Sequence, residues 1–300
     1  MELIKDFWRC AIIRAPLMEI VERDTLDGLP LLWLPDSDTL GYYADPFGLW
    51  RDDRLNVFVE RFDFRDGVGR IEVLVLDRTL QLVARRPALA EPWHLSYPYV
   101  FEADGETWML PEARESGTLR LYQAHAFPFE WRPAADIALD AVPLDATPFH
   151  HQGRWWLFYA PAEPASARLT TLCAAHAPAL TGPWTPFAGN PVIVDPRGAR
   201  PGGTPISMGN RIVLPVQRST GSYGSGMRLV HLNLLSPEAI EAAIVREFEP
   251  PAAAAPWIAG LHTMAAAGDV TLIDVKQRRF SPVALATWPG RLLSRRATST

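Results

Sequence analysis

The residues of this chain most able to do chemistry are acids at the ends of short apolar segments. Asp45 precedes a proline, Glu112 ends the segment MLPE, and Asp145 precedes the segment ATPF. Cleavage of a glycosidic bond needs two carboxyl groups in different protonation states. Burial or crowding by like charges raises the pKa of a carboxyl so that it can act as the acid, whereas a nearby arginine keeps a carboxylate ionised. These residue types predict a carbohydrate site with Glu112 as the acid and Asp45 as the base or nucleophile.

The remaining site residues are expected to tune those two carboxyls or to contact the sugar. Asp145 is the third predicted catalytic residue, and Arg200 is expected to share its control of the charge states. The predicted substrate-binding residues are Glu60, His94, Tyr97, Arg200, Gln217, Tyr223 and His262. The chain has no spacing of residues typical of a zinc or calcium site, so we expect no cofactor. A cation in the channel beside His262 stays an open alternative.

Several of these residues have a purely structural alternative. An aspartate before proline, such as Asp45, often bonds only the backbone amides of a turn. Glu60 and Glu112 each have an arginine nearby in the sequence, so either can form a structural ion pair. His262 can equally be a hydrogen-bonded histidine of the core. The sequence by itself leaves these alternatives open.

Five related segments determine where these residues lie in the chain. They are residues 45–60, 97–112, 147–160, 204–217 and 262–276, and their starts are 52, 50, 57 and 58 residues apart. Each has a short strand, a turn with Gly, Asp or Asn, and an apolar second strand. A period near fifty residues is typical of one four-stranded blade of a β-propeller. The repeat predicts an all-β fold, a five-bladed β-propeller that forms a single domain over residues 1–300, with a β-sandwich or two small β domains as the alternative.

The remaining segments supply the outer parts of this architecture. The predicted third strands are 71–77, 119–124, 169–175 and 227–232. A strand around residues 8–13 is expected to pair with the last blade and close the ring, because an open ring leaves exposed sheet edges. Helical periodicity is confined to residues 236–247, where Ser236 is placed to cap a helix and Pro237 to occupy its first turn.

Propeller geometry indicates why residues so far apart in sequence meet. The first strand of each blade runs along the central channel and the second returns antiparallel to it, so the start of the first and the end of the second lie at the same face. The residues predicted around this mouth are Asp45, Tyr97, Thr147, Thr204 and His262, and those just behind it are Glu60, Glu112, Ala160, Gln217 and Lys276. The loops before the blades add His94, Asp145 and Arg200. A rigid scaffold that presents polar residues at one face is typical of a functional site.

Composition and charge narrow the function classes. The formal net charge is −5 and no run of basic residues appears, which argues against nucleic acid as a partner. No window of eighteen apolar residues appears, so no membrane span is expected, and the N-terminus lacks the pattern of a signal peptide. The cytoplasm is therefore the expected location, and an arginine-, alanine- and proline-rich composition favours a bacterial source. Cys10 and Cys173 are expected to be reduced, buried thiols.

Several segments resemble a known family. They are YADPFGL, HLSYPYVFEADGETWMLPE, GRWWLFY, GPWTPFAGNPV, ARPGG and GLHT. Together they are similar to the N-terminal domain of plant glucosamine inositolphosphorylceramide transferases and its bacterial relatives, from about residue 8 to residue 276. That domain is in turn similar to the five-bladed propellers of glycoside hydrolases such as arabinanases, xylosidases and fructosidases. The resemblance implies a carbohydrate or glycoconjugate as ligand and a glycosyltransferase as a candidate partner, with transferase chemistry in a separate domain.

The hydrolase relatives imply roles for particular residues. In those enzymes an aspartate of the first blade is base or nucleophile, a second aspartate tunes the acid, and a glutamate protonates the leaving group. Asp45 matches the first of these by position. The second blade has Tyr97 where the hydrolases have aspartate, and Asp145 stands where they have glutamate.

Three functions stay open at this point. The first is a glycoside hydrolase-like enzyme that uses the paired carboxylates. The second is a non-catalytic module that binds a glycan or nucleotide sugar beside a glycosyltransferase, and the departure at Tyr97 favours it. The third is a protein-interaction propeller, for which we expect a channel mouth free of clustered carboxylates.

Overall fold

The structure is a computed structural model that describes residues 4–37 and 40–280 of the 300-residue chain. The chain begins with strand β1 (Ile4–Ile13), helix α1 (Leu17–Ile20) and strand β2 (Leu31–Trp33). The first blade contains β3 (Gly41–Arg51), β4 (Arg54–Asp63), β5 (Val68–Leu76) and β6 (Leu82–Leu89). The second contains β7 (Ser96–Ala103), β8 (Glu106–Glu112), β9 (Leu119–Ala126) and β10 (Glu130–Ile137).

The remaining blades follow in chain order. The third contains β11 (Pro143–His151), β12 (Arg154–Pro161), β13 (Thr171–Ala177), β14 (Thr185–Pro186) and β15 (Ile193–Val194). The fourth contains β16 (Ile206–Met208), β17 (Arg211–Arg218), β18 (Gly226–Leu235) and β19 (Ile240–Phe248). The last two strands, β20 (Gly260–Ala267) and β21 (Val270–Phe280), belong to the fifth blade. Single 3₁₀ turns occur at Arg114–Ser116, Ala165–Ala167 and Ala252–Ala254.

The two ends of the described chain build the fifth blade together. Strand β1 pairs antiparallel with β21 over its whole length, and β2 lies outside β1, which gives the order β2-β1-β21-β20. This pairing confirms the predicted closure and the five-bladed propeller. The predicted single domain over 1–300 stays a prediction, since residues 1–3, 38–39 and 281–300 lie outside the described residues.

Apolar side chains fill the spaces between neighbouring blades. Phe47 of blade 1 packs against Tyr97 and Tyr99 of blade 2, with ring centroids 4.7 and 5.0 Å apart. Phe58 and Trp131 meet edge to face at 5.5 Å on the outer side of the same contact. Each buried ring stabilises the fold by about 1.5–3 kcal/mol. This packing makes the inner strands a rigid support for the residues at their ends.

A β-bulge recurs where the inner strand of a blade reaches the mouth of the channel. The register with the second strand shifts between residues 44 and 47, 96 and 99, 144 and 147, and 261 and 264. At the first three bulges Asp45, Tyr97 and Asp145 adopt positive φ angles of 50°, 46° and 47°. A bulge turns a side chain away from the pleat of its strand. The third-blade counterpart of Asp45 is therefore Asp145, and the predicted alignment at Thr147 is wrong by two residues.

The segment predicted to be a helix is a strand. Residues 240–248 form β19, which pairs with β18 from Leu235 opposite Ile240 to Met227 opposite Phe248. Ser236 does cap a turn, because its Oγ accepts the backbone N–H of Ala239 at 3.1 Å. The same signal begins helices and hairpin turns, and hydrogen bonding to the otherwise unpaired edge of β18 decides between them.

Candidate functional site

A polar cavity of about 310 Å³ lies at the mouth of the channel. Its lining residues are Trp8, Tyr42, Asp45, Glu60, His94, Ser96, Glu112, Arg114, Glu115, Leu144, Arg168, Arg200, Tyr223 and His262. They come from β1, from the inner strand pairs of blades 1, 2, 3 and 5, and from the loops that precede or follow the inner strands. Seven of the predicted site residues are thus brought to one cavity, and they are Asp45, Glu60, His94, Glu112, Arg200, Tyr223 and His262.

Glu60 and Glu112 occupy equivalent places in neighbouring blades. Glu60 pairs with Ala44 in blade 1, and Glu112 pairs with Ser96 in blade 2, each on the mouth side of the bulge. Both side chains are almost fully buried. Glu112 accepts two hydrogen bonds, from the Ser96 hydroxyl at 2.9 Å and from the backbone N–H of Arg114 at 2.7 Å.

Glu60 has a different environment. His94 is close to it, with Nε2 lying 3.4 Å from Oε1 of Glu60. Burial raises the pKa of Glu60 well above its ordinary value, and the charges of Asp45 and Glu112 raise it further. Burial among other acids favours the protonated form of a carboxyl. Glu60 is therefore a lining carboxyl whose surroundings favour the acid form.

Asp45 is tied into the wall of the channel by both carboxylate oxygens. Oδ2 accepts the backbone N–H of Tyr97 at 3.1 Å, and Oδ1 accepts the hydroxyl of Thr263 at 3.0 Å. Burial raises the pKa of Asp45 to about 6, although the neighbouring His262 acts in the opposite direction. Asp45 therefore joins blades 1, 2 and 5, and its hydrogen-bond donors lie in other blades rather than in its own turn.

Asp274 lies beneath the mouth and was missed by the sequence analysis. It is completely buried, and its carboxylate accepts the backbone N–H groups of Asp45, His262 and Thr263 at 2.9, 3.1 and 3.0 Å. It is an acid inside the otherwise apolar segment TLIDV, which is a signal that sequence reasoning could have used. Asp274 holds the bulges of blades 1 and 5 in place.

His262 lies between two carboxylates. Its Nδ1 is 2.7 Å from Oδ2 of Asp274, and its Nε2 is 3.6 Å from Oδ1 of Asp45. Burial acts to lower the pKa of His262, but Asp274 and Asp45 outweigh it and raise the pKa above its ordinary value. The ring stacks on Trp8 with centroids 3.7 Å apart, and Tyr223 meets it edge-on at 5.3 Å. A cationic imidazole on an indole face is stabilised by the ring quadrupole.

The same three residues are the group in the described chain best placed to hold a metal ion. One ligand atom from each of Asp45, His262 and Asp274 lies within 4.8 Å of the others. Carboxylate and imidazole suit several divalent metals. The oxygens of Asp274, however, already accept three backbone N–H groups. Asp274 is thus already engaged by protein groups, whereas Nδ1 of His262 is close to Asp274 without a well-aligned hydrogen bond.

Asp145 and Arg200 form a bidentate ion pair. Arg200 Nε and Nη2 each lie 2.6 Å from an oxygen of Asp145, and Gln217 Nε2 donates to the same carboxylate at 2.7 Å. Arg200 lines the cavity, but Asp145 and Gln217 are not among the lining residues. The ion pair joins two residues that were expected to set the charge states of the catalytic carboxyls, and it immobilises both side chains.

Tyr97 and Gln217 are placed away from the cavity that they were predicted to line. Tyr97 is completely buried, and its hydroxyl accepts the backbone N–H of Gly203 at 2.9 Å and shares a hydrogen bond with Thr147. The bulge turns this side chain into the centre of the propeller. Gln217 is equally buried, with its amide bonded to Asp145 and to the backbone carbonyl of Pro201. The structure gives neither a direct path to a sugar.

Tyr223 is carried by a glycine-containing loop between β17 and β18. The backbone carbonyl of Tyr223 accepts a hydrogen bond from Lys276 Nζ, which also lies 3.2 Å from Oδ2 of Asp6.

Both cysteines are buried and free, as expected. Within the described ranges, no helix has the length and apolar character needed to cross a membrane.

The fold and the site together define a class: a five-bladed β-propeller with carboxyl groups presented to a polar axial cavity. The chain belongs to the family described as glucosamine inositolphosphorylceramide transferase 1, N-terminal, whose sequence model matches residues 36–254.

Two plant proteins represent the relatives of this chain. It is 31% identical over 201 residues to glucosamine inositolphosphorylceramide transferase 1 of Oryza sativa subsp. indica, which covers 66% of this chain and 27% of that protein. The protein of the same name from Arabidopsis thaliana is 31% identical over 203 residues, which covers 66% and 26%. The similarity thus spans about a quarter of the length of these relatives.

Solved structures share the fold at low sequence identity. A thermostable family-43 glycoside hydrolase superposes with a TM-score of 0.53 at 14% identity, over 69% of this chain and 76% of that one. A family 117 glycoside hydrolase from Zobellia galactanivorans gives 0.53 at 12%, over 69% of each chain. A structure from the GH130 family of mannoside phosphorylases gives 0.53 at 11%, over 77% and 83%. These similarities support the propeller fold.

Proposed function

We propose that the axial cavity binds a carbohydrate and cleaves a glycosidic bond in the manner of a glycoside hydrolase. The observation that carries this proposal is that Glu60 and Glu112 share one polar cavity but differ in their environments. Glu60 is buried among acids that favour its protonated form, whereas both oxygens of Glu112 accept hydrogen bonds. One carboxyl that can give a proton and one that can stabilise positive charge are the two parts that this reaction needs.

The environments favour an exchange of the roles expected from the sequence. Glu60, expected only to contact the sugar, is the better acid because burial and the neighbouring acids raise its pKa well above the ordinary value. Glu112 is the better carboxylate partner. Asp45 supports the site from deeper in the channel, since its oxygens are already bonded to Tyr97 and Thr263.

The proposed reaction uses only these side chains and one water molecule. Glu60 gives its proton to the glycosidic oxygen while the bond between that oxygen and the anomeric carbon breaks, so the leaving sugar departs as an alcohol. Glu112 stabilises the positive charge that develops on the ring. Water adds to the anomeric carbon, and its proton restores the acid form of Glu60.

Aromatic and cationic groups around the acids supply the binding part of the proposal. Tyr42 and Tyr223 line the cavity, and sugar rings pack their apolar faces on such side chains. Arg200 has its guanidinium fixed by Asp145, so little conformational entropy is lost when it donates to a hydroxyl. A carbohydrate or glycoconjugate is therefore the ligand class that we propose.

A specific observation favours a second candidate, a non-catalytic sugar-binding module. At the three equivalent bulges, blade 2 has Tyr97 in place of an acid, and Asp145 of blade 3 is locked between Arg200 and Gln217. Neither position then supplies a free carboxyl to the cavity. In this alternative the cavity holds a glycan or nucleotide sugar for a partner glycosyltransferase, which is the activity named for the plant relatives.

Turnover and binding, measured in parallel, separate the two candidates. A panel of aryl glycosides and oligosaccharides is assayed with the wild type, Glu60→Gln and Glu112→Gln, and binding is measured by calorimetry. An enzyme is expected to lose turnover by about 10²- to 10⁴-fold in both variants while binding persists. The matched control is Glu241→Gln, on the exposed outer strand β19, which should change neither. Binding without turnover in the wild type supports the module, and absence of both refutes a carbohydrate function for this panel.

A further inference from the structure

His94 is held against blade 1 by its own ring and by the neighbouring backbone. The backbone N–H of Gly69, in β5, donates to Nδ1 of His94 at 3.0 Å. The backbone N–H of Leu95 donates to the carbonyl of Gly69 at 3.0 Å. Nδ1 is thus an acceptor, which places the proton of the neutral ring on Nε2. The backbone of β5 selects the tautomer of His94.

The selected tautomer places its proton on the ring nitrogen that is close to Glu60. Nε2 of His94 lies 3.4 Å from Oε1 of Glu60, a distance at which a small movement of either side chain completes a hydrogen bond, and no hydrogen bond to the Glu60 carboxyl is found among the described residues. Burial lowers the pKa of His94, so the ring is neutral at physiological pH. A neutral Nε2–H can only donate, and Oε1 can accept it in either protonation state of Glu60.

Gly69 is a condition for this arrangement. A Cβ atom at this position would lie 2.4 Å from the carbonyl oxygen of Leu95, 2.7 Å from Oε1 of Glu60 and 2.9 Å from Cε1 of His94. No other residue type leaves room for the acid and the histidine to meet against the strand. The glycine is needed here for close approach, because its φ angle is not in the left-handed region.

We propose that His94 is a positioning residue that acts through Glu60: its Nε2–H occupies Oε1 and thereby confines the transferable proton to Oε2. The inference rests on the proposed function, in which Glu60 is the acid. When Glu60 gives up its proton, the same Nε2–H stabilises the carboxylate that is left. His94 therefore lowers the barrier to proton transfer without exchanging a proton itself.

The groups that bear on this pair come from several elements. The charges that raise the pKa of Glu60 are those of Asp45, Glu112, Asp145 and Asp274, and the charges that act on His94 are those of Glu112, Glu115, Arg114 and Arg200. All of these charged groups are present in every His94 variant below, so any difference in the titration of Glu60 between those variants is due to the change at position 94.

The test measures the titration of Glu60 itself. Glutamate is labelled with ¹³C at the carboxyl, and the resonance absent from Glu60→Gln is that of Glu60. His94→Leu removes the donor, so the ionised form of Glu60 loses a hydrogen bond and its titration midpoint is expected to rise by about one pH unit. His94→Asn retains an acceptor for Gly69 but is too short to reach Glu60, and it is expected to do the same. His94→Gln can still donate to Glu60 and should stay near the wild type.

Kinetics supply the second readout, with His151→Leu at the far hairpin of blade 3 as the matched control. For a substrate that turns over, kcat is expected to fall about tenfold in His94→Leu and His94→Asn with little change in KM, and His94→Gln should restore it. The proposal is overturned if the titration midpoint of Glu60 does not move in His94→Leu or His94→Asn. It is also overturned if these variants bind the sugar more weakly while the midpoint stays unchanged. A shifted midpoint in a protein that turns over no substrate keeps the positioning role and refutes the hydrolase function.

Discussion

Asp274 offers the sharpest test of how the channel mouth is held together. Its buried carboxylate accepts three backbone N–H groups, those of Asp45, His262 and Thr263. The first belongs to the bulge of blade 1 and the other two to the bulge of blade 5. Asp274→Ala removes the acceptor for all three groups at once.

The expected loss of stability in Asp274→Ala can be worked out from the backbone groups that are left without a partner. A buried donor that loses its acceptor costs about 1–3 kcal/mol, and water entering from the adjacent cavity relieves part of this. We therefore expect Asp274→Ala to lower the free energy of unfolding by about 3–6 kcal/mol, a large part of the roughly 5–15 kcal/mol that stabilises a typical protein. Asp274→Asn keeps one acceptor oxygen but turns an N–H₂ group toward a backbone N–H, so an intermediate loss of about 2–3 kcal/mol is expected.

Urea unfolding followed by tryptophan fluorescence and circular dichroism measures this loss. The matched control is Asp136→Ala, which removes an exposed aspartate whose ion pair with Arg120 lies on the outer strands of blade 2. Exposed ion pairs contribute about 0–1 kcal/mol, so this variant should unfold nearly as the wild type does. The slope of the free energy of unfolding against urea concentration should be the same as in the wild type if both variants unfold from the same native state.

A small effect would refute the reasoning. Suppose that the free energies of unfolding of Asp274→Ala and Asp136→Ala differ by less than about 1 kcal/mol, and that both depend on urea concentration with the same slope. The three N–H groups have then found other partners. The bulges at the mouth would then be held by the packing of their strands. If Asp274→Asn is as damaging as Asp274→Ala, the charge of the carboxylate beside His262 matters more than the number of acceptor oxygens.

Three further predictions concern Asp45, Tyr97 and the two buried cysteines. The pKa of Asp45 is raised to about 6, so the folded state binds this proton more tightly than the unfolded chain, and the stability that the proton contributes is lost as the pH rises through 6. In urea titrations, the free energy of unfolding of Asp45→Asn should therefore rise relative to that of the wild type by on the order of 2 kcal/mol from pH 4 to 7. A difference between the two proteins that stays constant over this pH range would contradict the prediction. Tyr97→Phe should lose about 1–2 kcal/mol in thermal unfolding because the backbone N–H of Gly203 is left unpaired, yet sugar affinity by calorimetry should not change. Burial raises the pKa of both Cys10 and Cys173, so neither thiol should react with a disulfide reagent at pH 8 until denaturant is added, and rapid labelling of the native protein would show that the blades open.

The fold was predictable because its signals are local and repeated. Each blade carries its own hairpin pattern, and a period near fifty residues sets both the size of the blade and the number of blades. The third strands and the closing strand follow from the need to pair sheet edges. Residues 236–247 were mistaken for a helix because a Ser-Pro capping signal is the same in a hairpin turn, and only the neighbouring strand β18 decides between them.

The candidate site was predictable in its membership and less so in its contacts. Propeller topology by itself brings the ends of inner strands to one face, and Glu60, Glu112 and His262 are found there. Tyr97 was expected at the same face, but the bulge directs its ring into the core. A bulge depends on which backbone groups find partners across the channel, and no sequence pattern records this.

The sequence by itself thus determined the architecture and the set of residues near the mouth, because periodicity and strand pairing act over short stretches of chain. Tertiary structure decided which acids have a raised pKa, because that depends on burial and on charges from other blades. It also decided the role of Asp274, an acid whose three backbone donors are 11, 12 and 229 residues away in sequence. The hydrogen bond from the backbone of Asp45 to Asp274 joins blades 1 and 5, so it forms only when the ring closes.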